Sequence, residues 1–278
     1  MITISVHSWS KGLPLKPVIK WAGGKSQLIA QFLPLFPSKV NFLVEPFFGG
    51  GAVFFHLNPQ KAIIADKSEE LMNFYRVVRD NPDQLIADIK RHVNTKEYYY
   101  QVRSLDPSQM TDVERASRFL YLNKFAYNGL WRVNSKGLHN VPYGYYKNKR
   151  LVDEENLYRI SATLRKARIL CGDFSLALEE TEPGMFVYLD PPYHPLSETA
   201  KFTSYTAAPF GAEEQLRLAQ AFHNLDKQGC RVMLSNSDTP FTRELYRGYD
   251  LVEVTARRSI NCKAEGRGLI TELVIRNY

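Results

Sequence analysis

Asp190-Pro191-Pro192-Tyr193 directly follows the apolar run 185–189 and places an acid, two prolines and an aromatic ring in four consecutive positions. A carboxylate, unpaired carbonyls and a stacking surface at the rim of a sheet suit chemistry on a planar amine, such as that of adenine. Neither proline donates a backbone hydrogen bond and both fix φ, so the strand must stop and its last carbonyls can face a ligand. An ordinary strand-ending turn also uses Asp and Pro. The tetrapeptide therefore gains meaning only from the rest of the chain.

Two further segments have the types and spacing for a cofactor. Glu45-Pro46-Phe47-Phe48-Gly49-Gly50-Gly51-Ala52 follows a strand-like run and precedes a helix-like one. Three glycines let the backbone turn tightly and approach a nucleotide-like ligand. The dinucleotide fingerprint is excluded because Phe54 stands where its last glycine would, and no Gly-Lys-Ser/Thr follows for a phosphate loop. About twenty residues on, Asp66 ends the next strand, where it can either accept from both hydroxyls of a ribose or cap the following helix. Upstream, Lys20-Trp21-Ala22-Gly23-Gly24-Lys25 combines two cations, an indole and a Gly-Gly turn. It reads as a lid over a flat, charged ligand, with Lys25 meeting an anionic group, or as a packed indole between solvated lysines.

The pattern of strands and helices must position these residues. Strand-like runs are predicted over 41–45, 61–65, 168–171, 185–189, 231–234, 251–255 and 269–275. Between them Leu71, Phe74, Tyr75 and Val78, and likewise Leu216, Ala219, Phe222 and Leu225, recur at helical spacing. The expected fold is a Rossmann-like α/β mixed sheet, mainly parallel, with helices on both faces and an antiparallel pair near the C-terminus. Residues 1–66 and 168–278 form the expected catalytic domain. The rhythm breaks over 67–167, which reads as an inserted, mainly helical domain with a β-hairpin.

Charge concentrates in that insertion. The 278 residues carry a formal charge of +7, and the stretch 115–168 alone holds twelve Lys/Arg against three acids. An anionic partner follows. Segment 124–150 holds six cations, no acid and six aromatics on a Gly/Asn-rich element, a composition suited to a hairpin against duplex DNA or to a solvated loop at a core edge. Ser235-Asn236-Ser237-Asp238 can line a base pocket or cap a helix, and Arg257, Arg258, Lys263 and Arg267 can reach a DNA backbone. Cys171, Cys230 and Cys262 fit neither a disulfide framework nor a metal site, and the histidines show no metal spacing. With no membrane-length apolar run and no leader, the chain is expected to be soluble and cytoplasmic. The first dozen residues read as an extension.

In order and spacing, Lys20 to Lys25, Glu45 to Gly51 and Asp190 to Tyr193 resemble the Dam-type adenine-N6 DNA methyltransferases of the D12 class. Tyr127-Asn128-Gly129-Leu130-Trp131-Arg132-Val133-Asn134, Asn140-Val141-Pro142-Tyr143-Gly144 and Pro195-Leu196-Ser197-Glu198-Thr199 look most like the DpnM-like branch associated with restriction-modification systems. The resemblance implies S-adenosylmethionine held by Trp21, Lys25, Glu45, Phe47, Gly49, Gly51, Asp66, Asp173, Phe174 and Asp190. It implies methyl transfer to adenine in GATC at Asp190, Pro191, Pro192 and Tyr193. Double-stranded DNA would meet Lys124, Asn128, Arg132, Asn134, Lys136, Pro142, Lys147, Lys149 and Arg150. Arg132 is expected at a guanine edge, and Lys147, Lys149 and Arg150 at phosphates.

The resemblance also implies that Asp rather than Ser at the head of the tetrapeptide favours adenine over cytosine N4, and no cysteine follows a proline as a cytosine-C5 nucleophile would. Pairing with a restriction endonuclease and a monomeric state complete the expectation. Transfer within another DNA sequence or RNA, a protein-glutamine methyltransferase, and a DNA-binding module without catalysis stay open as alternatives.

Overall fold

The computed structural model describes residues 15–147, 149–195, 210–257 and 269–278. Seven strands form one sheet: β1 (Phe42–Glu45), β2 (Lys61–Asp66), β3 (Ala167–Cys171), β4 (Phe186–Leu189), β5 (Arg231–Ser237), β6 (Asp250–Arg257) and β7 (Leu269–Arg276). Their order is β3-β2-β1-β4-β5-β7-β6. The first five run parallel, and β7 lies antiparallel between β5 and β6. All seven predicted strands form, and the antiparallel element falls where the pattern placed it.

The central strands read as unbroken apolar runs because both faces are covered. Leu43, Ile64, Phe186, Tyr188, Met233 and Val274 enter one core, while Val44, Ile63, Val187, Leu189, Val232 and Leu273 enter the other. The second face is covered by α8 (Ser175–Leu178), α9 (Ala212–Lys227) and α10 (Pro240–Leu245). In α9 the structure corrects the expected buried face: Leu216 is 52% exposed, and Gln215 and Leu218 turn inward with Ala219, Phe222 and Leu225.

The first face packs α1 (Ile29–Phe32), α2 (Ala52–Leu57) and the five helices lying between β2 and β3: α3 (Glu69–Asp80), α4 (Pro82–Ile89), α5 (Lys96–Ser104), α6 (Asp112–Phe125) and α7 (Glu154–Leu164). Pro82 ends the continuous run of α3 and starts α4, since it lacks an amide hydrogen but suits a first helical turn. Thr111 and Glu114 close a reciprocal capping box on α6. Leu85, Ile89, Tyr99, Phe119, Tyr121, Leu157 and Ile160 of this segment share one continuous core with the sheet face.

After α6 the chain turns at Asn128 (φ 56°) and Gly129 (φ 67°), both in the left-handed region that an Asn-Gly turn requires. Bridges Val133 to His139 and Ala126 to Tyr143 then fold the predicted hairpin back on itself. Its inner side docks on α6, with Trp131 centred 4.3 Å from Phe119 and 4.6 Å from His139. Burial pushes His139 down to about 3, so this ring packs as a neutral group. Residues 1–14, 196–199, 258, 262, 263 and 267, named above, lie outside the described residues, as does the side chain of Arg257.

Phe119 joins Trp131 to Phe74 of α3, 5.3 Å away, and is fully buried. Phe119→Ala is expected to cost about 3–5 kcal/mol in urea unfolding, the range for emptying an aromatic site in a close-packed core. A loss below about 1 kcal/mol would mean that the hairpin seat collapses without penalty.

Candidate active site

Three carboxylates stand at the carboxyl ends of adjacent parallel strands, where open α/β sheets bind ligands. Glu45 ends β1, Asp66 ends β2 and Asp190 follows β4. Between them lies the glycine turn. The Gly49 amide donates to Asp66 Oδ2 at 3.0 Å, the Ser68 amide donates to Asp66 Oδ1 at 3.0 Å, and Tyr75 donates its hydroxyl to the Gly49 carbonyl at 3.0 Å. Asp66 thus clamps the turn to the start of α3. Gly49 has φ 49°, and a Cβ there would lie 2.7 Å from Cδ1 of Trp21, so the indole lies directly over the glycines. Glu45 accepts from the Phe54 amide at 3.1 Å. Burial and the neighbouring Asp190 charge push Glu45 well above the usual carboxylate range, against the Phe54 amide and Lys25.

Lys25 is the cation among these acids. It is 5% exposed. Its Nζ lies 2.7 Å from Asp190 Oδ1, donates to the Gly23 carbonyl at 2.6 Å and sits 4.7 Å above the Tyr193 ring. Here, then, the lysine meets a carboxylate of the chain itself. Burial raises Asp190 to about 6, with Lys25 opposing the rise and Glu272 adding to it. Tyr193 donates its hydroxyl to Glu272 Oε2 at 2.7 Å, which fixes the ring beside Asp190.

The backbone of the tetrapeptide is held from behind. Gln215 of α9 donates to the Pro192 carbonyl at 2.9 Å and accepts from Asn236 at 2.9 Å. Asn236 Oδ1 accepts from the His194 amide at 3.1 Å, and Ser237 donates to the His194 carbonyl at 2.6 Å. Asn236 and Ser237 are therefore buried supports of the loop, while the Ser235 hydroxyl pairs with that of Tyr188 at 2.9 Å. The cap of α10 is Thr239, accepting from the Thr242 amide at 3.1 Å. Among the described residues no donor pairs with the Pro191 carbonyl.

At the neighbouring edge, Phe174 is buried and its ring centre lies 5.3 Å from that of Phe47. Asp173 is gripped by Arg217 of α9 through bonds of 2.8 and 2.7 Å, and this bond with the guanidinium lowers it to about 2. The same guanidinium lies 4.1 Å from the Phe174 ring.

The predicted DNA residues gather on the hairpin and the segment behind it, with unequal freedom. Arg132, Lys136, Lys147, Arg150, Asn128 and Pro142 are exposed, and Arg132 Nε donates to Asn140 at 2.8 Å. Asn134 is exposed too, but its side chain is engaged by the turn, accepting from the Lys136 and Leu138 amides at 2.9 and 3.1 Å to shape the tip. Lys149 folds back on the Lys124 carbonyl and over the Tyr146 ring at 3.7 Å; burial, then Lys20 and Lys124, bring it down to about 8. Gln215, Arg217, Glu272 and Asn123 escaped sequence reasoning, since each acts on a partner far along the chain. Among the described residues no helix is long and apolar enough to cross a membrane, and no group of three or more His, Cys, Asp or Glu could hold a metal.

An acid-lined pocket with one cation suits a positively charged sulfonium, and the glycine turn suits close approach by a nucleoside. The sheet order and the family model that the chain matches make it a Rossmann-like S-adenosylmethionine-dependent methyltransferase. Within that class, the chain belongs to the D12 class N6 adenine-specific DNA methyltransferases, whose family model matches residues 21–260. It is 48% identical over 272 residues to the Type II methyltransferase M1.LlaDCHI of Lactococcus lactis subsp. cremoris, covering 95% of this chain and 96% of that protein. It is 38% identical over 280 residues to a DNA adenine methylase of Haemophilus influenzae, covering 99% and 98%. It is 36% identical over 260 residues to a DNA adenine methylase of Escherichia coli, covering 92% and 93%.

The raised Asp190 sets a pH limit. Its native carboxyl takes up a proton as pH falls through about 6, well before an ordinary Asp would, and a protonated carboxyl is a weaker, uncharged acceptor that cannot take a further proton. Single-turnover methyl transfer to DNA is expected to fall on the acid side with a midpoint near 6. A plateau reaching down to about pH 4 would show that Asp190 keeps an ordinary carboxylate pKa during the reaction.

Proposed function

We propose that the chain methylates N6 of adenine within GATC in duplex DNA, acting on a base turned out of the helix, and that Asp190, Pro191, Pro192 and Tyr193 form the reacting edge. The observation that carries this reading is the joint placement of Asp190 and Tyr193 at the end of β4, beside the glycine turn of β1. The GATC assignment rests on the resemblance of segments 127–134 and 140–144, and duplex DNA is the proposed form of the substrate.

The exocyclic amine of adenine is a weak nucleophile because its lone pair is delocalised into the ring. An oxygen of Asp190 and the Pro191 carbonyl can each accept one N–H, favouring a pyramidal nitrogen whose lone pair is free to attack. Bound at this edge, S-adenosylmethionine supplies an electrophilic methyl group on a positively charged sulfur. Trp21, Glu45, Phe47, Gly49, Gly51 and Asp66 are the residues proposed to hold it, with Phe47, Asp173 and Phe174 at the edge that would receive its adenine. Lys25 neutralises Asp190 until the amine arrives, and Tyr193 offers its ring for stacking on the extruded base. No covalent enzyme intermediate is required. Asp190, with its raised affinity for protons, is suited to receive the proton that the methylated nitrogen sheds.

On the DNA side, exposed Arg132 is the proposed reader of a guanine edge, while Lys136, Lys147 and Arg150 supply salt-dependent attraction to phosphates. Action as a monomer in the cytoplasm, and functional pairing with a restriction endonuclease, belong to the same proposal.

Transfer of labelled methyl groups to duplexes differing at one base pair tests it. Label is expected in GATC alone, with Asp190→Ala slowing transfer by about a hundredfold to a thousandfold. Arg132→Ala is expected to erase about 1–3 kcal/mol of discrimination at one base pair while cofactor affinity holds. Efficient transfer to a different sequence would overturn the GATC assignment, and loss of cofactor binding in Arg132→Ala would overturn the hairpin's role.

A further inference from the structure

We infer that Asn123 is a positioning residue that locks the Lys20-Trp21 loop to the hairpin, so that cofactor and DNA affect each other's binding through one buried amide. Asn123 lies near the end of α6 and is 1% exposed. Its Oδ1 accepts from the Lys20 amide at 3.1 Å, and its Nδ2 donates to the Lys20 carbonyl at 2.7 Å and the Gly129 carbonyl at 3.3 Å. Only a carboxamide side chain of this length can pair a peptide N–H and a carbonyl at once and still reach a third group. The bonds span 103 residues in one direction and 6 in the other.

The packing leaves no slack around this joint. A Cβ on Gly129 would lie 2.7 Å from Lys20 Cδ, and one on Gly49 would lie 2.7 Å from Trp21 Cδ1. Glycine turn, indole, Lys20 and hairpin turn are therefore stacked in direct contact. α6, with its capping box and buried faces, is the rigid member of the set. A ligand that shifts Trp21 must shift Lys20, and Lys20 cannot shift without Asn123 releasing or carrying Gly129, where the hairpin begins. Two ligands that each act on this one joint are coupled through it, which is the physical content of coupling between sites.

The inference rests on the proposed roles of the Trp21 loop toward cofactor and of the hairpin toward DNA. Its test is the affinity for a duplex bearing the methylated sequence, measured with and without saturating S-adenosylhomocysteine. In the unaltered protein the two affinities are expected to differ by about tenfold, a usual size for such coupling. In Asn123→Ala the ratio is expected to fall to about one, with each ligand alone changing by no more than about threefold. Gly129→Ala leaves the amide intact but drives a methyl into Lys20, and is expected to lower the ratio likewise; it decides the matter if Asn123→Ala does not fold.

An unaltered protein whose affinities do not differ, or folded variants that keep the full ratio, would overturn the inference. Failure of the underlying reading shows elsewhere: Trp21→Ala would leave cofactor affinity intact, or Arg132→Ala would leave DNA discrimination intact.

Discussion

A single buried ammonium governs this site. Lys25 lies against Asp190 in a pocket whose charge is otherwise negative, with Glu45 and Glu272 close enough to disturb Asp190 or be disturbed by it. Taking charges out of water is costly, and their attraction offsets that cost only where geometry is good and the remaining hydrogen bonds are made. Both conditions hold: the ammonium also bonds the Gly23 carbonyl and faces the Tyr193 ring, so its position is set from three sides. The loop carrying Lys25 must therefore stay seated on the sheet, which is what the indole of Trp21 accomplishes against Gly49 and Gly50 beneath it.

The other acids show how one chemical group is put to different uses by its surroundings. Asp66 spends both oxygens on amides and becomes a structural brace. Asp173 is saturated by a bidentate guanidinium and stays ionised at any ordinary pH. Asp190 has Lys25 as its one ion-pair partner and keeps its side chain 17% exposed, so its raised proton affinity is not offset by backbone amides as that of Asp66 is. Burial and partner count separate Asp190, the carboxylate proposed to react, from its neighbours, although in the sequence each simply follows or ends a strand.

Much of this was legible from local pattern. The apolar runs marked every strand, and the Asp190 segment and the glycine turn were found where parallel strands end, because strand termini and tight turns are written in consecutive residues. What was not legible depends on distance along the chain. Gln215 looks like a polar position on an exposed helix face, yet it turns inward because the Pro192 carbonyl and Asn236 need a partner there. Arg217 and Glu272 likewise gain meaning only beside Asp173 and Tyr193. In the hairpin, the resemblance gave Asn134 and Lys149 the same standing as Arg132, and the sequence alone does not show how differently the three are held. Backbone geometry claims the first for the turn, and a nearby carbonyl and ring draw back the second.

The placement of β7 has a consequence for how the molecule comes into being. β6 is made first but pairs with β7 alone among the described residues, so it joins the sheet only through β7, whose pairing with β5 closes contacts distant in sequence. Glu272 rides on β7, so the ring of Tyr193 lacks its anchor until that pairing is complete. A chain still being synthesised can thus hold most of its sheet while Tyr193 lacks this anchor, and the edge proposed to react is complete only once the last strand is in place.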